Sequence, residues 1–201
     1  MCGRYSLYTE EQDKEIMRII KSLDERYPGN EMKKGEIYPT NTAPVICRMD
    51  GEIRPELSTW GFPRFGAAKG VIINARSESA GERPMFRKSL HGRRCAVPST
   101  GFFEWTQQGE KIKYRFNLPD SRVLYMAGIY NEFKDENRFV ILTTGANHSI
   151  ADVHNRMPVI LTERNVEDWI TSEDFALAYI QTVMPALRRG ISRTDSQIKR
   201  R

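Results

Sequence analysis

Short apolar segments separated by turn residues fill the middle of this chain and restrict the folds open to it. Residues 43–62 have the pattern of a hairpin, with Asp50-Gly51 as a favoured two-residue turn. Residues 101–118 predict a second hairpin that turns near Gln108-Gly109, and further strands are predicted at 71–73, 123–130, 138–144 and 157–161. Because short connections join successive strands, they predict a mainly antiparallel, partly closed, barrel-like sheet.

Helical patterns flank this β-rich segment. Residues 10–27 carry apolar side chains at helical spacing, and Thr9 with Gln12 forms a capping-box sequence in front of them. Two closing helices are predicted at 163–171 and 173–183, with Thr162 and Ser172 as their N-caps. With no internal repeat and no linker, the 201 residues predict a single α+β domain.

The composition is typical of a water-soluble globular protein, with 39% hydrophobic and 28% charged residues. No apolar stretch is long enough for a transmembrane helix, and the N-terminus lacks the apolar region of a secretory signal, so we expect a cytoplasmic protein. The three cysteines and three histidines show neither a disulfide framework nor zinc-ligand spacing. We therefore expect a reducing compartment, no metal and no cofactor. A net charge of +5 is only a weak indication of nucleic-acid binding.

Cys2 becomes the N-terminal residue if Met1 is removed, and the small size of residue 2 permits that removal. It then carries an α-amine of pKa about 7.7–8.0 and a thiol of pKa about 8.5, so both nucleophilic forms are accessible near neutral pH. The amine can attack an aldehyde to form a Schiff base, and the thiol can then close a thiazolidine ring on the same carbon. Gly3 permits close approach of the backbone to a ligand. A cysteine after the initiator methionine is more often a coincidence, so this chemistry requires partners elsewhere in the chain.

Three segments contain side chains that can assist such a nucleophile. Glu104 lies among aromatic residues, where burial would raise the pKa of its carboxyl group and suit it to proton transfer. His154 lies in a polar segment beside Arg156 and can act as an acid, a base or a phosphate contact. Asn74 begins the polar segment 74–78 directly after an apolar strand, a position that often lines a site. The alternatives are solvent-exposed side chains for Glu104 and His154 and a simple turn at Asn74.

An apolar pair, Met85-Phe86, lies between Arg83 and Arg87-Lys88. Such a pair in a basic loop can wedge between bases while the charges hold phosphates. The alternative is a loop that Phe86 anchors to the core. Further basic clusters at 93–94, 188–189 and 199–201 are more simply solvated faces. Apolar neighbours predict four other core residues, Cys47, Trp60, Phe62 and Cys95.

An ordered set of short motifs resembles the SRAP family (SOS response-associated peptidase, also called abasic-site processing proteins). The motifs are Met-Cys-Gly-Arg-Tyr at 1–5, Asn-Thr-Ala-Pro at 41–44, Trp-Gly at 60–61, Ile-Asn-Ala-Arg-Ser-Glu at 73–78, Met-Phe at 85–86, Gly-Phe-Phe-Glu-Trp at 101–105 and His-Asn-Arg-Met-Pro at 154–158. Each motif alone is short, but the set at these spacings is highly specific and extends from residue 1 to about residue 162.

The resemblance implies a β-rich domain with a groove for single-stranded DNA, in which Cys2 crosslinks to the ring-opened aldehyde of an abasic site and shields it from strand cleavage. It implies that Asn74 positions the reacting end, that Glu104 handles protons, and that His154 assists sugar ring opening and reversal of the crosslink. Matching phosphate-binding and base-contacting positions, together with further DNA-binding candidates, are Arg4, Arg76, Arg156, Pro44, Met85, Phe86, Asn41 and Trp105.

The resemblance also implies a peptidase-type step that exposes Cys2, either by self-cleavage or by an aminopeptidase, and an AP-lyase activity. The expected partner is single-stranded DNA that contains abasic sites, with no membrane involved. We expect a monomer that acts in the DNA damage (SOS) response, in the cytoplasm and at the nucleoid when bound to DNA.

Two segments depart from the family pattern. Many members have a tryptophan-containing stretch after the Trp-Gly motif, where this chain has residues 62–68 and only Phe65 to stack in its place. The usual C-terminal segment is hard to recognise after Leu187, where the basic tail 188–201 either replaces it or is disordered.

Two other functions stay open at this level. Met-Cys-Gly also opens N-terminal-nucleophile glutaminase domains, in which Cys2 would attack an amide with its own amine as the base. The other substrate-binding motifs of that class are not found. A non-catalytic single-strand-binding module would bind DNA in a salt-sensitive manner without using Cys2.

Overall fold

The computed structural model describes residues 2–10, 13–64, 66 and 69–192. Its helices are α1 (Lys14–Arg26), α2 (Ser77–Ala80), α3 (Pro84–Gly92), α4 (Val166–Thr171) and α5 (Glu173–Tyr179). Its strands are β1 (Tyr5–Leu7), β2 (Gly35–Ile37), β3 (Thr42–Met49), β4 (Glu52–Trp60), β5 (Phe62–Pro63), β6 (Val71–Ile72), β7 (Asn74–Arg76), β8 (Arg94–Ser99), β9 (Gly101–Trp105), β10 (Lys113–Asn117), β11 (Leu124–Phe133), β12 (Glu136–Gly145), β13 (Arg156–Pro158), β14 (Ile160–Leu161) and β15 (Arg188–Ile191).

Five strands close into a barrel. The pairing runs from β12 through β4, β3, β8 and β11 and returns to β12. The β12–β4 pair is parallel and the other pairs of the ring are antiparallel. Closure leaves no unpaired edge within the ring, which stabilises an all-strand core. The structure thus confirms the α+β, mainly antiparallel, barrel-like prediction.

A second, antiparallel sheet has the strand order β15-β10-β9-β1-β2. The chain enters it from the barrel at residues 99–101, where β8 continues almost directly into β9. Gly101 has φ of 150°, and a Cβ atom there would lie 2.8 Å from both Arg115 Nε and Asn117 Nδ2. Glycine is therefore required at this crossing, because any side chain would displace the neighbouring strand.

One core connects the barrel with the second sheet. The fully buried Trp60 of β4 stacks on Phe139 of β12 and lies 5.2 Å, ring to ring, from Tyr5 of β1. Its indole Nε1 donates to the carbonyl of Ile73 at 2.9 Å, so the buried N–H group has a partner. The predicted core residues Cys47, Trp60, Phe62 and Cys95 are all buried.

Both predicted hairpins are present. Asp50 and Gly51 have φ of 52° and 87°, as the predicted turn between β3 and β4 requires. Gly109, at φ 68°, lies in the connection between β9 and β10. Ser172 caps α5 by accepting a hydrogen bond from the amide of Phe175 at 3.2 Å.

Several helix boundaries were wrong. Helix α1 begins at Lys14 rather than at residue 10, with Asp13 as its N-cap and no side-chain cap bond. The Asp13 amide donates to Glu10 O at 2.9 Å, so a turn precedes the helix, and Gln12 of the predicted capping box lies outside the described residues. Thr162 also makes no side-chain cap bond, and α5 ends at Tyr179 rather than at residue 183.

Two strand predictions and the prediction for the tail also need correction. The segment 71–73 is only half-buried and contains β6 followed by Ile73, while β7 begins at Asn74 and pairs with a different strand. Residues 157–161 form two strands because Val159 donates to β12 and accepts from β11. The tail predicted from residue 188 begins with strand β15, which pairs with β10, whereas residues 193–201 lie outside the described residues. No helix in the described ranges is long and apolar enough to cross a membrane.

Candidate active site at Cys2

Cys2 lies beside β9 because strand β1 fixes the residues that follow it. Tyr5 pairs with Phe102, and the Phe103 amide donates to Arg4 O at 2.9 Å. This antiparallel register continues toward Cys2 on one strand and Glu104 on the other. Cys2 is fully buried, and its Sγ lies 3.8 Å from Arg4 O. Burial, with a further contribution from the Glu104 charge, raises the pKa of the Cys2 thiol well above its ordinary value. The thiol is therefore protonated at neutral pH.

Asn74 contacts Cys2 directly. It is the first residue of β7, and pairing with Ile141 in the barrel holds it in place. Its Nδ2 donates to the carbonyl oxygen of Cys2 at 2.9 Å. Its Oδ1 is buried and has no hydrogen-bond partner among the described residues. A buried acceptor left without a donor costs about 1–3 kcal/mol, and such atoms are frequently reserved for a ligand or a reacting group.

Glu104 is 4% exposed within β9, which rules out the solvent-facing alternative. Burial raises the pKa of its carboxyl group, and the positive charge at the chain N-terminus partly opposes that increase. A buried carboxyl group whose pKa is raised is suited to proton transfer.

His154 is half-buried at the start of the segment that leads into β13. Its Nδ1 accepts from the backbone amide of Arg156 at 2.9 Å, so in the neutral ring the proton is assigned to Nε2. Burial lowers the pKa of His154, and the positive chain N-terminus lowers it further. The ring is therefore neutral at physiological pH. It lines a cleft of about 460 Å³ together with residues 106–108 of the β9–β10 connection.

The structure thus places the four predicted catalytic residues around the N-terminal segment. Asn74 is in hydrogen-bond contact with Cys2, the Glu104 charge acts on the Cys2 thiol, and His154 is close enough to respond to the N-terminal charge. In the part of the chain that the structure describes, no group of three or more His, Cys, Asp or Glu side chains could hold a metal ion.

The three arginines that match phosphate-binding positions differ in their surroundings. Arg76 is exposed and lines a cleft of about 450 Å³ that also contains Asn74. Arg156 is held by Glu78, with Nη1–Oε1 and Nη2–Oε2 distances of 2.6 and 2.8 Å. This hydrogen-bonded ion pair lowers the pKa of the Glu78 carboxyl group. The charge of Arg156 is thus already neutralised within the protein.

Arg4 also has an internal carboxylate partner. Its Nη1 lies 3.3 Å from Glu36, and its guanidinium group lies 4.2 Å from the ring centre of Tyr38 and 5.0 Å from that of Trp105. The sequence reasoning did not assign a role to Glu36 or Glu78. The sequence could have indicated a role for Glu78, because it is the last residue of the polar segment 74–78, which was predicted to line a site.

The predicted base-contacting residues are only partly accessible. Residues 84–92 form helix α3 rather than a loop, begun by Pro84 at a position that suits proline. Phe86 is 6% exposed and packs 6.1 Å, ring to ring, from Phe62, so it anchors α3 to the core. Met85 is half-buried and lines the same cleft as Arg76.

Pro44 and Asn41 occupy structured positions close to β3. Pro44 is buried within the strand, opposite Leu57. Asn41 Oδ1 accepts from the Tyr38 amide at 2.9 Å and stabilises the turn that precedes β3. Phe65, predicted to stack in place of the missing tryptophan stretch, lies outside the described residues.

Comparisons with known proteins identify the family of the chain. The family model described as SOS response associated peptidase (SRAP) matches residues 1–192. The abasic site processing protein YoqW of Bacillus subtilis is 32% identical, over 92% of this chain and 86% of its own. The abasic site processing protein YedK of Escherichia coli is 25% identical, over 86% of this chain and 81% of its own.

Solved structures show the same fold. A protein from Bacteroides thetaiotaomicron superimposes with a TM-score of 0.75 at 23% identity, over 100% of this chain and 95% of its own. A phage-related protein from Bordetella bronchiseptica gives a TM-score of 0.71 at 22% identity, over 96% and 95% of the two chains. With the family model covering nearly the whole chain, this protein belongs to the SRAP family.

Proposed function

We propose that the protein binds single-stranded DNA at abasic sites and bonds covalently to the lesion through Cys2 once Met1 has been removed. The observation that carries this proposal is the contact between Asn74 and Cys2, beside the buried carboxyl group of Glu104. The relatives named as abasic site processing proteins support it.

The α-amine of Cys2 acts first in this mechanism. Removal of Met1 frees the amine, which attacks the aldehyde carbon of the ring-opened sugar to give a carbinolamine. Glu104, whose raised pKa keeps a fraction of it protonated, donates a proton to the hydroxyl group, which leaves as water. The products are a protonated Schiff base and the Glu104 carboxylate.

The thiol of Cys2 acts second. Since burial raises its pKa, it keeps its proton until the newly formed Glu104 carboxylate accepts that proton. The sulfur then bonds to the imine carbon, the C=N bond becomes a single bond, and the five-membered thiazolidine closes. Glu104 ends protonated, as it began, so the overall reaction releases one water.

The two steps explain why a covalent product protects the lesion. A Schiff base activates the sugar for β-elimination, which cleaves the strand and constitutes an AP-lyase activity. Closure of the thiazolidine removes the C=N bond and ends that activation. Asn74 positions the reacting end, because its buried Oδ1 can accept from the free α-amine while Nδ2 holds the Cys2 carbonyl. His154 is neutral, so its Nε2–H can donate to the sugar ring oxygen during opening and reversal.

Two clefts lined by residues of the candidate site suit the DNA strand. Arg76, Arg83 and Met85 line an apolar cleft with cationic edges, which also contains Asn74 and suits a base and its phosphates. His154 lines the second cleft. We propose that the protein acts as a monomer in the DNA damage (SOS) response, in the cytoplasm and at the nucleoid.

A crosslinking assay tests this function. Wild-type protein and the Cys2→Ala and Glu104→Gln variants are incubated with a single-stranded oligonucleotide that contains one abasic site, and products are separated on a denaturing gel. We expect a covalent band for wild type, none for Cys2→Ala and a slower one for Glu104→Gln. An equal band from Cys2→Ala would refute the mechanism. Glutamine hydrolysis by wild type would instead favour a glutaminase.

The same proteins test the peptidase step. Each is produced with a short N-terminal tag that an aminopeptidase does not remove, and its mass is followed over time. Loss of the tag from wild type but not from Cys2→Ala would show that the protein exposes its own cysteine. Retention of the tag in both would assign Met1 removal to an aminopeptidase.

A further inference from the structure

One face of the second sheet carries a row of cations, of which Lys113 is buried, Arg115 is half-buried and Arg188 is exposed. Directly opposed residues of neighbouring strands lie on the same face of a sheet. Lys113 is opposite Trp105, Arg115 is opposite Phe103, and Asn117 is opposite Arg188. These pairs extend the face from Trp105 of β9 to the edge strand β15, whereas the Glu104 side chain lies on the opposite face of the sheet.

Aromatic rings lie beneath Lys113 and Arg115, and beneath a further cation, Arg4. Arg4 lies over Trp105, Lys113 lies 4.1 Å from the ring centre of Phe103, and Arg115 lies 5.0 Å from that of Tyr8. We call these six residues the cation–aromatic face. Interleaved basic and aromatic side chains are typical of surfaces that hold single-stranded nucleic acid.

The cations that have no carboxylate partner lie where β10 and β15 pair, at one end of this face. Arg4 and Lys113 both pair with the Glu36 carboxylate. By contrast, Arg115 and Arg188 have no carboxylate within ion-pair distance in the described part of the chain. The neighbouring Arg189 is neutralised by Asp152 at 2.6 Å. A polyanion therefore meets two available charges where β10 and β15 pair.

Two adjoining clefts, of about 440 and 460 Å³, surround this end of the face. Arg115, Asn117 and Arg188 line both of them. One cleft continues to Ser192, whereas the other ends at carboxylates that include Asp13. Arg122 also lines the far end of the second cleft and pairs with Glu10 and Asp13, so the charges there largely cancel. The first cleft is lined by three arginines and is the one that suits an anionic strand.

Arg115 is fixed in place before any ligand binds. Its Nη2 donates to the Thr100 carbonyl at 2.6 Å, and Asn117 Nδ2 donates to the same oxygen. Both side chains fit here because Gly101 has no Cβ atom, which would lie 2.8 Å from each of them. A guanidinium group held in this way loses little conformational entropy when it binds a phosphate.

We propose that the β10–β15 cleft, through Arg115, Asn117 and Arg188, binds the phosphates of the DNA strand that extends beyond the lesion. Two inter-strand spacings and three residues along the strand place the Arg188 Cα roughly 14 Å from that of Glu104. Because the two side chains lie on opposite faces of the sheet, a DNA strand that leaves the lesion reaches Arg188 around the sheet edge. The inference rests on the proposed function, because it requires the lesion to lie at Cys2.

The salt dependence of DNA binding tests whether this cleft contacts phosphates. Affinities of wild type, Arg188→Ala and the control Arg164→Ala are measured at several salt concentrations on two single strands that carry a reduced abasic site, which has no aldehyde and cannot crosslink. One is a short strand centred on the lesion, and the other is extended on both sides. Arg164 is exposed on the short helical turn before α4 and, like Arg188, has no carboxylate partner among the described residues. Its replacement therefore controls for net charge alone.

We expect wild type to bind the extended strand more tightly than the short one. On the extended strand, Arg188→Ala should reduce the slope of log K against log salt by about 0.7, the value for one phosphate contact to single-stranded DNA. The short strand and Arg164→Ala should show the wild-type slope. Any one of three results would overturn the proposal. These are an unchanged salt slope for Arg188→Ala on the extended strand, an equal reduction of the slope on the short strand, or equal wild-type affinities for the two strands. Covalent adduct formation on a separate short strand that carries the reactive aldehyde reports the Cys2 chemistry, so failure of one proposal is distinguishable from failure of the other.

Discussion

Replacing Gly101 with alanine should destabilise the protein strongly, because this position joins the barrel to the second sheet. A Cβ atom there would lie 2.8 Å from Arg115 Nε, 2.8 Å from Asn117 Nδ2 and 2.9 Å from the carbonyl oxygen of Phe116. The two side chains can move, but the Phe116 oxygen belongs to the paired strand β10. Relief of the clash therefore requires β9 and β10 to separate.

Two contributions set the size of the effect. An alanine at φ of 150° is in a sparsely populated conformation, which costs on the order of 1–3 kcal/mol. Overpacking against the backbone costs about 1–3 kcal/mol more. The matched control is Gly109→Ala, since Gly109 also has positive φ (68°) but nothing lies within 4 Å of its Cβ position. It should lose only the conformational contribution, about 1–2 kcal/mol.

Thermal unfolding measures both variants. For a chain of this length, each kcal/mol corresponds to about 2–4 °C in Tm. We expect Gly101→Ala to unfold roughly 4–24 °C below wild type and Gly109→Ala roughly 2–8 °C below it. Equal decreases for the two variants would show that the close contacts at the crossing do not constrain the fold.

Other consequences of the structure are equally open to measurement. Phe86→Ala should lower the free energy of unfolding by about 3–5 kcal/mol in urea, while Met85→Ala should mainly weaken DNA binding; the opposite result would place Phe86 outside the core. Glu78→Gln frees Arg156 to neutralise a further phosphate, so the salt slope of DNA binding should steepen by about 0.7, and a shallower slope would contradict this. The lowered pKa of His154 means that its stabilisation is present above its ordinary value of 6.5 and is lost as pH falls through the folded pKa. The difference in unfolding free energy between wild type and His154→Gln should therefore shrink from pH 7.5 to pH 5, whereas a constant difference would show that the histidine is not shielded.

Local patterns explain what could be predicted of the fold. The Asp50-Gly51 turn depends on backbone preferences of two residues, and both have the positive φ that the pattern requires. Strand β15 could not be predicted, because its residues are all exposed and its pairing with β10 joins segments far apart in the chain. A strand without an apolar face has no period-two signal.

In the site, too, local sequence identifies residues, whereas long-range pairing decides how they are arranged. Cys2, Asn74 and Glu104 could be named from chemistry and motif order, but only the β1–β9 register and the parallel β7–β12 pair explain how they meet. Met85 and Phe86 are adjacent in sequence, and tertiary packing alone decides which of them is buried. The ion pair between Glu78 and Arg156 likewise depends on the placement of β13 beside β12.

Intact mass spectrometry of the protein after incubation with an abasic single strand tests the central role of Cys2 most directly. We expect one adduct whose mass equals the chain without Met1 plus the oligonucleotide minus one water, and fragmentation should locate the modification at Cys2. The adduct should persist without borohydride, because a thiazolidine contains no C=N bond to reduce. An adduct on another residue, an adduct that keeps Met1, or one seen only after reduction would contradict the account.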